Sequence, residues 1–149
     1  MNYIAYGSNM SSAYILDYCP SAKFIMRIYF PNYHLEFRRF STDLQGGISS
    51  IIEAPGELIH GVLYDIDEAE IEALDILENV PEGIYTRETF LVMGEDGNWH
   101  SGDLYRVANP AGPYKPAKQY VEWMITGAQE HNIDATYTAK LIELRDSLD

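Results

Sequence analysis

The chain has 149 residues, a formal net charge of −13, 46% hydrophobic residues and one cysteine; that length fits a single domain spanning 1–149, with a core that needs no metal or disulfide staple. So acidic a chain, with Arg38-Arg39 as its only adjacent basic pair, repels a phosphate backbone, so nucleic acid is not an expected partner. No apolar run approaches the roughly 18 residues of a membrane span, and the opening Met1-Asn2-Tyr3-Ile4-Ala5-Tyr6 lacks the basic start of a signal peptide, so the expectation is a cytoplasmic protein with no membrane partner.

The first expected element is a strand over 2–6, rich in β-formers and ending at Gly7. Ser11 or Ser12 then caps a short helix that runs to Cys19 and stops at Pro20. Strands follow over 22–30 and 33–40, separated by a turn at Pro31-Asn32. Gly46-Gly47 reads as the next turn. A third strand over 48–54 leads to a turn at Pro55-Gly56, and a fourth strand covers 59–66. Asp67 is placed to cap a helix, and Glu70 lies at the spacing of a capping box. Ile71, Leu74 and Leu77 or Glu78 recur at helical spacing, and the helix ends near Glu78-Asn79. Residues 85–93 and 99–107 form a hairpin joined by Gly94-Glu95-Asp96-Gly97. A proline-rich loop over 109–116 precedes a helix over 117–131. A last helix is capped by Asp134, with Tyr137, Leu141, Leu144 and Leu148 on one face. Many strands, one inserted helix and two closing ones make an α+β pattern.

Most reaction chemistries find little footing. His34, His60, His100 and His131 are scattered and form no metal-ligand motif. Cys19 sits at a helix end, away from the dipole's positive pole, and reads as a buried, inert thiol. Gly7-Ser8-Asn9-Met10 is not a nucleophile elbow, and there is no glycine-rich phosphate loop. Two features remain. The Tyr6-Gly7-Ser8-Asn9 loop, between a strand and a helix, can point successive backbone N–H groups at a carboxylate or an oxyanion; taken alone it also reads as an ordinary helix-capping turn. Glu78, at the C-terminal end of an amphipathic helix, is badly placed for an ionised carboxylate. Burial there would raise its pKa toward the range useful for proton transfer, although a solvated helix-end glutamate fits the same spacing and Asp75 and Glu82 compete with it.

Together the two features resemble the γ-glutamylcyclotransferase family and its AIG2-like relatives. Tyr3-Ile4-Ala5-Tyr6-Gly7-Ser8-Asn9-Met10 is similar to the family's opening signature, an aromatic–x–A–Y–G–S–N–L/M stretch at the end of the first strand. The likeness continues through Phe30-Pro31-Asn32-Tyr33-His34-Leu35-Glu36-Phe37, Gly46-Gly47-Ile48-Ser49-Ser50-Ile51, Pro55-Gly56 and Gly61-Val62-Leu63-Tyr64. Leu74-Asp75-Ile76-Leu77-Glu78-Asn79-Val80, followed by Gly83-Ile84-Tyr85, resembles the segment with the catalytic glutamate. Tyr105, and the stretch from Tyr120 to Gly127-Ala128-Gln129-Glu130, match later positions. One departure is Glu78-Asn79, where the family often has Glu-Gly; asparagine can hold the same left-handed helix-end conformation at some cost.

The resemblance implies a small mixed β-barrel with helices packed outside. It implies an enzyme that releases 5-oxoproline from a γ-glutamyl compound by intramolecular aminolysis, with no cofactor and no metal. Glu78 would be the catalytic acid–base. Tyr3, Ile4, Ala5, Tyr6, Gly7, Ser8, Asn9, Tyr85, Tyr105 and Tyr120 would bind a small-molecule γ-glutamyl substrate, and the resemblance also allows a homodimer. The same chemistry on glutathione or on a γ-glutamyl-tagged biosynthetic intermediate is the alternative. A non-catalytic module that binds γ-glutamyl or other small molecules is a second one.

Overall fold

A computed structural model describes residues 1–148. Its frame is a ribbon of two long antiparallel strands, β2 (Lys23–Ser41) and β3 (Gly46–Asp65). The short first strand β1 (Asn2–Ala5) lies antiparallel on β3, from Asn2 opposite Asp65 to Ala5 opposite Val62. The hairpin β4 (Tyr85–Gly94) and β5 (Trp99–Val107) closes the ring: β4 meets β2 at Ile28 and Tyr29, and β5 runs parallel to β1 at Tyr3 and Asp103. The order β1-β3-β2-β4-β5 is a closed barrel. Four α-helices lie outside it: α1 (Ser12–Tyr18), α2 (Glu68–Leu77), α3 (Lys118–Glu130) and α4 (Ala135–Asp146). The α+β barrel implied by the resemblance is therefore the observed architecture. No helix among the described residues is long and apolar enough to cross a membrane.

Strand alternation divides the core in two. On β1, Ile4 points into the barrel with Phe30, Ile51 and Leu104, while Tyr3 and Ala5 face the layer of helices. In that outer layer α3 supplies Val121, Met124 and Ala128, and α4 supplies Leu141.

The expected turns at Pro31-Asn32 and Pro55-Gly56 do not reverse the chain. They sit opposite each other in one bulge, because Pro31 pairs with Leu58 and Tyr33 with Glu53, so Asn32 faces residues 54–57. Asn32 and Gly56 both take positive φ, 70° and 87°, and the Gly56 N–H donates to Asn32 Oδ1 at 3.1 Å. The four expected strands are thus two, each bent at its middle. Gly46-Gly47 is not the next turn either; the reversal occupies 42–45. The glycines lie in β3, where a Cβ on Gly46 would come within 2.6 Å of the Ala117 backbone. Gly47 exchanges hydrogen bonds with Lys115 O and Ala117 N, at 2.8 and 3.0 Å, so they let the proline-rich loop lie flat on the strand.

The Asp67–Glu70 capping box is also absent in its simple form. The Asp67 side chain caps nothing. Its N–H donates instead to Ser21 Oγ at 2.9 Å, and that hydroxyl donates to Glu70 Oε1 at 2.7 Å, so a serine from the preceding loop stands between the partners. Ser11 and Asp134 do cap α1 and α4, accepting from the N–H groups of Tyr14 and Tyr137 at 3.4 and 3.0 Å.

Candidate active site

Where β1 leaves the barrel, the chain turns through Tyr6 and Gly7 into a single 3₁₀ turn, Ser8–Met10. Packing from outside fixes this turn. Helix α3 crosses it at Gly127, where a Cβ would sit 2.4 Å from the Met10 carbonyl carbon and the Ser11 nitrogen. On the inner side, a Cβ on Gly7 would meet Tyr120 Oη at 2.5 Å and Ser49 Oγ at 2.6 Å. Those two hydroxyls hydrogen-bond each other at 2.8 Å. Asn9 Nδ2 donates back to Tyr3 Oη at 2.8 Å, tying the loop to its own strand. As first residues of a helical turn, Ser8 and Asn9 have no partner within it for their N–H groups.

The loop forms one wall of a cavity of about 760 Å³, a size that suits a small ligand. Tyr3, Tyr6, Gly7, Ser8, Asn9, Glu78, Tyr85, Tyr105 and Tyr120 all line it. Ile4 and Ala5 are not among the lining residues. Ile4 points into the barrel interior and Ala5 into the outer core, and both are 1% exposed. The strand's pleat gives them the opposite or deeper positions.

Glu78 is the C-cap residue of α2. Its N–H donates to Leu74 O at 2.8 Å, and Asn79 takes φ 56°, the left-handed conformation that turns the chain out of the helix. The carboxyl is half-buried in the cavity wall and has no side-chain hydrogen bond or ion pair among the described residues. Burial pushes its pKa up to about 7, against a downward pull from the Arg39 charge. The two competing acids are placed differently. Asp75 accepts from Tyr105 Oη at 2.6 Å and from Arg87 Nε at 2.9 Å; Glu82 is exposed and lies off the cavity.

The tyrosines also separate into two kinds. Tyr6 Oη donates to the Tyr105 carbonyl, and Tyr105 Oη donates to Asp75. Those hydroxyl protons are committed to the protein, so these two rings shape the cavity rather than donate into it. Tyr120, which shares its proton with Ser49, and Tyr85 keep polar tips at the cavity. Burial holds Tyr3, Tyr6 and Tyr85 well above the usual phenol range and raises Tyr120 too, so all stay neutral at ordinary pH. Cys19 is buried and its thiol is pushed up to about 11, in keeping with an inert role.

Sequence reasoning did not single out Ser49, Arg39, Tyr14 or Trp123, all of which line the cavity. The Tyr14 and Trp123 rings pack at a tilt of 38°, their centroids 4.6 Å apart. For Arg39 a signal existed in the Arg38-Arg39 pair, but nothing in the sequence told the two apart. Arg38 reaches Glu36 at 2.7 Å and the Ala111 carbonyl, whereas Arg39 faces the cavity, its guanidinium 5.3 Å from the centre of the Tyr85 ring.

Comparison with known proteins gives consistent results. A family profile described as the AIG2-like family matches residues 58–141, a span that includes Glu78. The chain is similar to gamma-glutamylcyclotransferase from Mus musculus, 30% identical over 144 residues that cover 93% of this chain and 76% of the relative. The Bos taurus protein of the same name is 29% identical over 143 residues, with the same coverage of 93% and 76%. A solved structure named gamma-glutamyl cyclotransferase superposes with a TM-score of 0.90 at 28% identity, covering 95% of this chain and 85% of that one.

Proposed function

The chain belongs to the AIG2-like family, and from that membership and the cavity's geometry we propose that it is a γ-glutamylcyclotransferase in which Glu78 moves the protons. The α-amine of a bound γ-glutamyl group attacks its own γ-carbonyl carbon. The new C–N bond closes a five-membered lactam, 5-oxoproline, and the old amide C–N bond breaks to release an amine or amino acid. Glu78 accepts the proton that the attacking nitrogen loses and delivers one to the departing nitrogen. A carboxyl with a pKa of about 7 suits both steps, and such proton transfer is worth about 10²–10⁴-fold in rate.

The other residues supply position. The substrate must be folded back on itself, and fixing that conformer removes an entropic cost before reaction. The N–H groups of Gly7, Ser8 and Asn9 offer donors to the substrate carboxylate or to the oxygen of the γ-carbonyl as it gains charge. Their rigidity, from Gly127 outside and Tyr120 with Ser49 inside, spares reorganisation during the reaction. Tyr85 and Tyr120 add hydroxyls at the wall, and Tyr3, Tyr6 and Tyr105 give it shape. No cofactor enters the scheme, because both reacting groups belong to one substrate.

The observation that carries the reading is a half-buried, unpaired carboxyl that lines the same cavity as Gly7, Ser8 and Asn9. The test is a panel of γ-glutamyl-amino acids, γ-glutamyl-amines and glutathione, read by 5-oxoproline formation. Release from at least one member is expected, and the preferred member names the leaving group. Ligand binding without any release would favour the non-catalytic module instead.

A further inference from the structure

Arg39 differs from the other arginines. Arg27 lies within ion-pair distance of Glu95, Arg38 of Glu36, Arg87 of Asp75 and Asp103, Arg106 of Glu53, and Arg145 of Asp146. Among the described residues Arg39 has no such partner, in a chain whose net charge is −13. It is also the one cation among the described residues that line the cavity, where the other charged side chains are Asp17, Asp43 and Glu78.

Its placement is built. Phe37 pairs with Ser49 and Arg39 with Ile48, so Arg38 is the extra residue of a β-bulge. Bulges of this kind re-aim side chains beside active sites. The guanidinium then lies over the Tyr85 ring at 5.3 Å, a contact that holds an arginine head without using its hydrogen-bond donors on a carboxylate. A planar fork with no carboxylate partner among the described residues, lining the same cavity as Glu78, is complementary to a carboxylate brought in by the ligand.

We propose that Arg39 is a substrate-binding, specificity-determining residue that pairs with a carboxylate of the γ-glutamyl compound. The inference rests on the proposed reaction. A γ-glutamyl-amino acid carries two carboxylates that could meet Arg39, the α-carboxylate of the glutamyl group and that of the leaving amino acid. The chemistry is the same for both; a substrate whose leaving group has no carboxylate tells them apart.

The experiment compares wild type, Arg39→Met and Arg39→Lys on γ-glutamyl-alanine and γ-glutamyl-ethylamide. Loss of a charge-assisted pair is expected to raise KM for γ-glutamyl-alanine by about 10–100-fold in Arg39→Met, with KM carrying most of the loss and Arg39→Lys restoring part of it. A rise confined to γ-glutamyl-alanine assigns the pair to the leaving amino acid; an equal rise with γ-glutamyl-ethylamide assigns it to the glutamyl group. Removing the charge also moves the acid limb of kcat/KM to higher pH, because Arg39 pulls the Glu78 carboxyl down, while Arg39→Lys leaves the limb in place. A merely structural role would not place the loss in KM, nor be partly restored by Arg39→Lys. An unchanged KM on both substrates overturns the proposal while the reaction stands. Binding is read apart from turnover through the fluorescence of Trp123, titrated with γ-glutamyl-alanine. If wild type binds without turnover and Arg39→Met does not bind, the carboxylate pair stands and the reaction fails; wild type that neither binds nor reacts overturns both.

Discussion

The two walls of the cavity are built in opposite ways. The Tyr6–Asn9 loop is over-determined: Gly127 presses on it from outside, Tyr120 and Ser49 fill the space against Gly7, and Asn9 ties back to Tyr3. The Glu78 corner is under-determined: its carboxyl ends a helix, half-buried, with no hydrogen bond or ion pair among the described residues. Contact gives the loop a fixed shape. Lack of contact gives Glu78 a movable proton, since an ion pair there would have fixed it as a carboxylate. Substitutions in the loop should therefore act through geometry, and substitutions at Glu78 through protonation.

Gly127→Ala tests the first half through both stability and turnover. Alanine gains about 1 kcal/mol of helix propensity, but its Cβ would fall 2.4 Å from backbone atoms of Met10 and Ser11, which cannot swing aside as a side chain can. Overpacking of about 1–3 kcal/mol should offset that gain, and the displaced loop should cost on the order of 10²-fold in kcat/KM, the usual consequence of a shift near 1 Å in a positioning group. Calorimetry and the 5-oxoproline assay read the two effects. Normal turnover in a destabilised variant would mean that the loop's shape is not used.

Glu78→Gln tests the second half through stability. Folded Glu78 keeps its proton up to about pH 7, whereas in the unfolded chain it is lost near 4.5. Between those values the folded state binds more protons, so wild-type stability falls as pH rises through the window. Glutamine lacks that fall. The variant should match wild type near pH 4 and exceed it above pH 7 by roughly 1–3 kcal/mol, seen as a higher Tm. A variant less stable than wild type at pH 8 would mean that the carboxylate is held by its surroundings.

Much of this was legible in the residues, because the features concerned are local. Helical spacing placed α2 and its end at Glu78-Asn79, and Gly94 to Gly97 placed the β4–β5 hairpin. The errors arose where local signals have two structural meanings. Pro31-Asn32 and Pro55-Gly56 punctuate a chain equally well as turns or as facing halves of a bulge, and only cross-strand pairing decides. Asp67 and Glu70 have capping-box spacing, yet Ser21, distant in sequence, lies between them. Strand alternation alone separates Ile4, inside the barrel, from Tyr3 and Ala5 on its outer face. Arg39 was hidden by its neighbour, since the bulge at Arg38 breaks the alternation that would tell the two arginines apart.

The central claim is that one carboxyl, poised by burial, carries the proton in lactam formation. Its most direct test is the pH dependence of kcat/KM for 5-oxoproline release, measured on wild type and on Glu78→Gln with the best substrate of the panel. Wild type should show an acid limb near pH 7, and Glu78→Gln should be about 10²–10⁴-fold slower with that limb gone. A glutamine variant that keeps both the rate and the limb would contradict the account.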